Sequence, residues 1–327
     1  MRTFQCHRPP KTFLNYPKNL KFVEPYLKNN ALISRDEWKK LISSIETKYD
    51  NLETNKERSK RKLAALIEKA ITSRAETLGK FGVLFSGGVD STLIALLCKK
   101  HNYNFTCFTL GMENSPDIEY AIKIAKKYNF DLKYKILSLD EIEAIIKNTA
   151  KILQSADIVW VSVGSVFYAA SKLALHNSIK ILFGGLGTEE IFAGYQRHAD
   201  TLQNSGFEAV HRESWSGLKS MWQRDLLRDY KLAKALGVEL NTPYMDLNVI
   251  KEAMSVSPIY KLDKQNKKII LREIAEEFSL EKEFAWRPKK AAQYGSNFLK
   301  GIDKLAKKYS FQTKKEYLQS LLQSNNA

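Results

Sequence analysis

Cysteine is scarce in this chain of 327 residues: Cys6, Cys98 and Cys107 are all there is, and no two form a CxxC pair. That excludes a disulfide-framed fold and a cysteine-based zinc site. Cys98 and Cys107 stand in apolar surroundings and read as buried thiols, which suits a reducing, cytoplasmic compartment. The five histidines show no HExxH or HxH spacing, so zinc is not expected. No run of 18 or more apolar residues occurs, and no membrane span is expected. The opening "MRTFQCHRPPKTF" has no apolar stretch of the kind a signal peptide needs, so none is expected. Internal repeats and low-complexity tracts are absent too.

What is present is a globular composition, 44% hydrophobic and 27% charged, with a net charge of +16. The excess is uneven: 15 basic against 7 acidic residues precede Leu63, and 10 against 4 lie between Glu281 and Glu316. Such flanks suit a nucleic-acid or polyanion surface. They equally suit a solvated surface, because many of the lysines alternate with Glu and Asp at helical spacing.

Residues 1 to about 30, rich in Pro, Asn and Lys, read as an extended arm. Ser34 with Glu37 three residues on is a capping box and starts a helix. "NLETNKERSKR" (51–61) is a polar linker or exposed helix, and Leu63, Leu66, Ile67, Ala70 and Ile71 then form a helical stripe that Gly79 ends. Strands "FGVLF", "NFTCFTL", "DLKYKIL" and "IKILFGG" follow, alternating with helices at 91–100, 116–128, 140–153 and 163–175. After about Thr188 every segment reads as helix. The expected fold is α/β: a parallel sheet with helices on both faces and a helical C-terminal part. A basic extension (1–61) and one α/β domain (62–327) are the expected units.

The first strand runs into Ser86-Gly87-Gly88-Val89-Asp90-Ser91-Thr92. Glycines let backbone N–H groups approach a ligand, and the next helix points its positive end at an anion. Ser86, Ser91 and Thr92 offer hydroxyls to phosphate oxygens. Asp90 would repel phosphate unless a cation intervenes, which points to Mg²⁺. No lysine follows the glycines, so this is not the GxxxxGK[ST] loop.

The stretch resembles the SGGxDS loop of the PP-loop ATP pyrophosphatases, which split ATP into AMP and pyrophosphate. Three more segments resemble the synthetase domain of the asparagine synthetase family. They are "FTLGMENSPDIEYA", "ILFGGLGTEEIFAGYQRH" against the family's GEGSDExFGGY, and "ELNTPYMDLNVIKEAMSVSP" with "KKIILREIAEEF" and "AWRPKKAAQYGS" against its R-x-P-F-L-D, ILR and WRxK segments. The resemblance covers roughly residues 62–300. It implies ATP and Mg²⁺ as cofactors, and a carboxylate adenylated by ATP and then attacked by an amine or ammonia. It implies Leu84, Ser86, Gly87, Gly88, Asp90, Ser91, Thr92, Leu110, Gly184 and Gly185 around the nucleotide, Asp90 and Glu189 at the metal, and Lys289 beside the reacting phosphorus.

Two departures stand out. The glutamate at the second position of the family's GEGSDE, thought to manage protons for the incoming amine, is here Leu186, so Glu190 or Tyr294 becomes the candidate for that work. A missing general base costs about 10²–10⁴-fold. The family's glutaminase domain has a cysteine directly after the initiator Met, whereas this chain has Arg2, so glutamine hydrolysis by the chain itself is not expected. The pattern looks most like asparagine synthetase domain-containing proteins without that domain, served by ammonia, an amine or a separate glutaminase subunit.

Two other readings stay open: a PP-loop enzyme acting on tRNA, and a nucleotide-binding regulatory protein without turnover. "RESWSGLKSMWQRDLLRDY" (212–230) mixes Trp215, Trp222 and Tyr230 with arginines, a base-stacking pattern or an amphipathic helix with core anchors. His198 reads as a surface or capping residue. Arg287 would bind a substrate carboxylate or a backbone carbonyl.

Overall fold

The structure is a computed structural model that describes residues 23–288 and 291–323. The first 22 residues of the expected arm, and Lys289, lie outside the described residues. Asn29 and Asn30, both at positive φ (53° and 60°), turn a short hairpin of β1 (Leu27–Lys28) and β2 (Ala31–Leu32). This is the left-handed pair a two-residue hairpin loop demands. Helix α1 (Arg35–Ser44) starts at the Ser34–Glu37 capping box. Helix α2 (Lys56–Ala75) starts at Asn55, whose side chain accepts from Arg58 N–H. The boundary expected after residue 61 therefore falls inside α2.

Next come β3 (Lys80–Leu84), α3 (Val89–Lys100), β4 (Asn104–Gly111), α4 (Pro116–Tyr128), β5 (Leu132–Ile136), α5 (Leu139–Leu153), α6 (Ile158–His176) and β6 (Ile181–Phe183). The C-terminal part holds α7 (Thr188–Ile191), α8 (Gln196–Met221), α9 (Leu227–Leu236), β7 (Glu239–Asn241), α10 (Leu247–Ser255) and α11 (Ile269–Glu277). It ends with α12 (Lys282–Ala285), α13 (Ala292–Gly295), α14 (Phe298–Lys308) and α15 (Lys314–Gln323).

The expected parallel sheet is present, in the order β5-β4-β3-β6-β7, with every pair parallel. Its two faces are legible residue by residue. Phe81, Val83, Phe85, Cys107 and Phe183 point to one face and pack under α2, α3, α10 and α11. Phe108 and Leu182 point to the other, under α6 and α9, and Leu110 joins them there against α5, α6 and α14. Gly82 is required by this packing, because a Cβ there would sit 2.6 Å from Leu182 and 2.9 Å from Phe108.

One finding corrects the sequence reading and two refine it. Strands do not stop at Thr188: β7 extends the sheet beyond β6, but its three residues are too short to show a period of two. Residues 196–236 form one long α8 kinked at Gly206 (φ 79°), a π-turn over Trp222–Leu226, and α9. Helix α6 is 19 residues long and, by length and composition, apolar enough to cross a membrane. In this fold it is an interior helix packed on β3, β4, α5 and α9.

The N-terminal hairpin is tied into the same body. Glu24 receives two hydrogen bonds from the Arg74 guanidinium (2.8 and 3.2 Å), and Thr242 donates to it from N–H (2.9 Å) and hydroxyl (3.0 Å). Both charges are buried, the Arg74 side chain 0% and Glu24 4% exposed. Breaking such a pair leaves a charge in a medium that solvates it poorly. Arg74→Leu is expected to destabilise the protein by about 3–5 kcal/mol in urea denaturation, and loss of less than about 1 kcal/mol would show the pair is not structural.

Candidate nucleotide site at the carboxyl ends of the central strands

Ligands of open parallel sheets gather at the carboxyl ends of the strands. There, between β3 and α3, Gly87 holds φ at +65°, and a Cβ on it would meet the backbone of Tyr120 and Ala121 at 3.0 Å. Gly88 caps α3 with no side-chain hydrogen bond, which leaves the first-turn N–H groups directed at an incoming anion. Ser91 Oγ donates to Gly88 O (3.2 Å) and accepts from Ser86 N–H (3.4 Å), so it fixes the turn from within. Thr92 Oγ1 is buried and has no hydrogen-bond partner among the described residues.

Asp90 lies in the first turn of α3 and faces the loop after β6. A Cβ on Gly185 would come within 3.0 Å of Asp90 Cβ, so glycine is what lets the two turns touch. Leu84 and Gly184 meet across the same seam. Tyr244, fully buried after β7, donates its hydroxyl to Asp90 O (2.9 Å). Leu110, 4% exposed, closes the neighbouring end of β4. The structure thus brings Leu84, Ser86, Gly87, Gly88, Asp90, Ser91, Thr92, Gly184, Gly185 and Glu189 together, with Leu110 beside them.

The centre of the group is a residue the sequence reading did not single out. Lys268 Nζ lies 2.9 and 3.0 Å from the Asp90 oxygens, 2.7 Å from Glu189 Oε1 and 3.1 Å from Thr188 Oγ1. Its backbone is left-handed (φ 59°) at the start of α11. Burial alone would lower its pKa, but Asp90 and Glu189 reverse that and hold it above the ordinary value, so the ammonium stays charged. Gly194 makes the room: a Cβ there would lie 2.0 Å from Glu189 Oε2 and 2.3 Å from Lys268 Cε.

Two carboxylates and a hydroxyl are hard oxygen donors of the kind Mg²⁺ takes. In this arrangement, however, the space between them is filled by Nζ. A divalent ion bridging Asp90 and Glu189 does not fit beside that ammonium.

A second set of contacts pins the segments on either side of residues 289–290. Arg287, expected at a substrate carboxylate or a backbone carbonyl, reaches the backbone carbonyl Gly87 O (3.4 Å), and its guanidinium is also held by a carboxylate of the protein itself, Asp117 Oδ1 (3.0 Å). Its guanidinium lies 3.9 Å from the centre of the Tyr120 ring. Arg272 donates to Ala285 O (2.6 Å) and Arg287 O (3.2 Å). Ser115 Oγ donates to Gly295 O (2.9 Å), and Met112 N–H to Ser296 O (3.0 Å).

Glu190 does not join the Asp90 cluster. It is 1% exposed, accepts from Tyr195 OH (2.8 Å), and pairs with Arg224, which also binds Asp225 (2.7 Å). Leu186 is half-buried against the core, and Tyr294 is 52% exposed. His198 is fully buried rather than on the surface, and its Nδ1 accepts from Tyr195 N–H (3.3 Å) as a cap. Burial pushes its pKa down to about 3, so it is neutral. Trp215 is buried, and Trp222 gives its indole N–H to Ile33 O (2.7 Å), so both are core anchors.

A nucleotide-type anion loop on a parallel α/β sheet is the class these features define. The asparagine synthase family model matches residues 62–208 and 202–325. The chain belongs to the asparagine synthase family. It is 33% identical over 303 residues to "Putative asparagine synthetase [glutamine-hydrolyzing] 1" of Methanocaldococcus jannaschii, covering 82% of this chain and 56% of that protein. The mouse asparagine synthetase [glutamine-hydrolyzing] is 30% identical over 77% of this chain and 47% of its own length. The chain thus spans about half the length of these curated relatives. Among solved structures, an NH3-dependent NAD synthetase from Campylobacter jejuni overlaps 84% of this chain and 96% of its own, at 16% identity and TM-score 0.36.

Gly194→Ala is expected to drive Glu189 and Lys268 apart and to lower the melting temperature, whereas Gly79→Ala, with open space at its Cβ, leaves it unchanged. Equal melting temperatures would contradict the close approach. A pH effect follows from Glu190. Burial, with Asp225 adding, raises its pKa from 4.5 to about 7 despite Arg224. The folded protein then holds a proton that the unfolded chain releases above pH 4.5, so this group's contribution falls as pH rises from 4.5 to about 7. Thermal melts at pH 5.5 and 7.5 should show a smaller drop for Glu190→Gln than for wild type, and an unchanged drop would refute the assignment.

Proposed function

We propose that this protein is an ATP-dependent, AMP-forming carbon–nitrogen ligase acting on a small carboxylate. The observation that carries it is the Ser86–Thr92 loop: a left-handed glycine packed too tightly for a side chain, opening an α3 whose first turn has no side-chain cap. The membership in the asparagine synthase family supports the same chemistry. A substrate carboxylate oxygen attacks the α-phosphorus of ATP, pyrophosphate leaves, and an acyl-adenylate forms. An amine or ammonia then attacks the acyl carbon and AMP leaves.

The loop N–H groups with Ser86, Ser91 and Thr92 hold the pyrophosphate end. Leu84, Leu110, Gly184 and Gly185 line the nucleoside side. Lys289 supplies a fixed positive charge to the phosphoryl oxygens, which is worth most where charge grows in the transition state. Mg²⁺ is the expected companion of ATP, but no step is assigned to it, because Lys268 fills the place between the expected ligands.

Leu186 cannot take a proton from the incoming nitrogen, and Glu190 is turned to Tyr195 and Arg224. The nucleophile therefore enters as the free base, ammonia or an amine, drawn from solution or from a separate glutaminase. The two buried free thiols, Cys98 and Cys107, accord with a cytoplasmic enzyme.

The deciding assay is release of AMP and pyrophosphate from ATP with amino-acid carboxylates and ammonia, repeated with bulk tRNA. AMP with one small carboxylate is the expected result. AMP with tRNA alone would replace the acceptor, and bound ATP without AMP would leave a regulatory nucleotide-binding protein. Lys289→Ala is expected to cut AMP release by about 10²–10³-fold, the cost of removing one group that stabilises growing charge. Leu186→Glu should raise ammonia-dependent turnover, most visibly below pH 8, where ammonium dominates.

A further inference from the structure

Nζ of Lys268 has three hydrogens and four oxygen neighbours at 2.7–3.1 Å, spread over two carboxylates and a hydroxyl. The Lys268 and Asp90 side chains are 6% and 7% exposed, and Glu189 is the open side at 34%. The three segments that meet here are shaped around the ammonium. Gly194 clears the Lys268 stem, Gly185 admits Asp90, and the Lys268 backbone adopts a left-handed turn to aim the side chain inward.

We propose that Lys268 is a resident cation that keeps the Asp90–Glu189 pair closed to divalent metal in the nucleotide-free protein. The pair and its ammonium carry one net negative charge. A divalent ion on the same oxygens would lie within a few ångströms of Nζ, where like charges repel strongly in a poorly solvated pit. The ammonium also keeps the two carboxylates from repelling an incoming anion, and Glu189, the exposed member of the pair, is the partner it gives up most readily. The proposal rests on the ATP reading for the identity of that anion, but its central claim concerns metal alone.

The test is a titration with Mn²⁺ in the absence of nucleotide, read by the electron paramagnetic resonance of the free ion. Wild type is expected to show no saturable site that depends on Asp90, its isotherm matching that of Asp90→Asn. Lys268→Met is expected to gain one Mn²⁺ per chain, roughly tenfold tighter or more than wild type, and to lose it again when Asp90→Asn is added. Circular dichroism establishes that the variants fold. If Lys268→Met does not, Lys268→Gln, which keeps hydrogen bonds without the charge, takes its place, and the wild-type comparison with Asp90→Asn still decides. A wild-type protein that binds one Mn²⁺ through Asp90 without nucleotide overturns the proposal, and so does a folded Lys268→Met that binds none. No nucleotide is present, so an outcome here stands apart from the AMP assay: a protein that never turns over ATP still passes or fails this test.

Discussion

One ammonium between two carboxylates organises the molecule. Lys268, Asp90 and Glu189 come from the start of α11 and from the turns that leave β3 and β6. Lys268 and Asp90 would each be costly to bury alone, by several kcal/mol, and each answers the other's charge, with Glu189 closing the open side. The cluster also needs the close approaches at Gly185 and Gly194. It also places the anion-binding loop, because Asp90 is part of it. Tyr244 reaches the same point from the end of β7 and grips the Asp90 backbone, so four segments of the chain converge where the reading places phosphate.

Much of this was legible in the sequence, and the rest was not for definable reasons. Capping chemistry is local, so Ser34–Glu37 and the Pro116 start of α4 could be read directly. The central strands announced themselves as apolar runs because a parallel sheet buries both faces. Strand β7 did not, since three residues carry no period. Lys268 was hidden by distance: it stands 178 residues from Asp90, in a stretch with Lys264 and Lys267 that looks like ordinary surface charge. Glu189 and Glu190 could not be told apart by composition. The resemblance set Glu189 beside Asp90, as the fold does through Lys268, but gave no sign that the short α7 turns Glu190 away to Arg224.

The contrast at residue 186 bears on how the protein would handle nitrogen. An apolar, half-buried side chain at that turn packs with the core instead of offering a proton acceptor. The alternative offered by the sequence, Glu190, is held by Tyr195 and Arg224, which a base would first have to leave. On the proposed ligase reading, turnover would depend on the protonation state in which the nucleophile arrives, and selectivity for the nitrogen donor would lie in delivery and not in catalysis.

The clasp of Glu24 on Arg74 and Thr242 has a practical meaning for anyone isolating a smaller piece. The family match begins at residue 62, partway along α2, and a recombinant fragment cut there would start in mid-helix. It would also discard Glu24, the carboxylate that a buried guanidinium and the Thr242 amide both hold. A fragment that starts upstream of Glu24 keeps this clasp, whereas one cut at the homology boundary leaves the buried Arg74 guanidinium without Glu24.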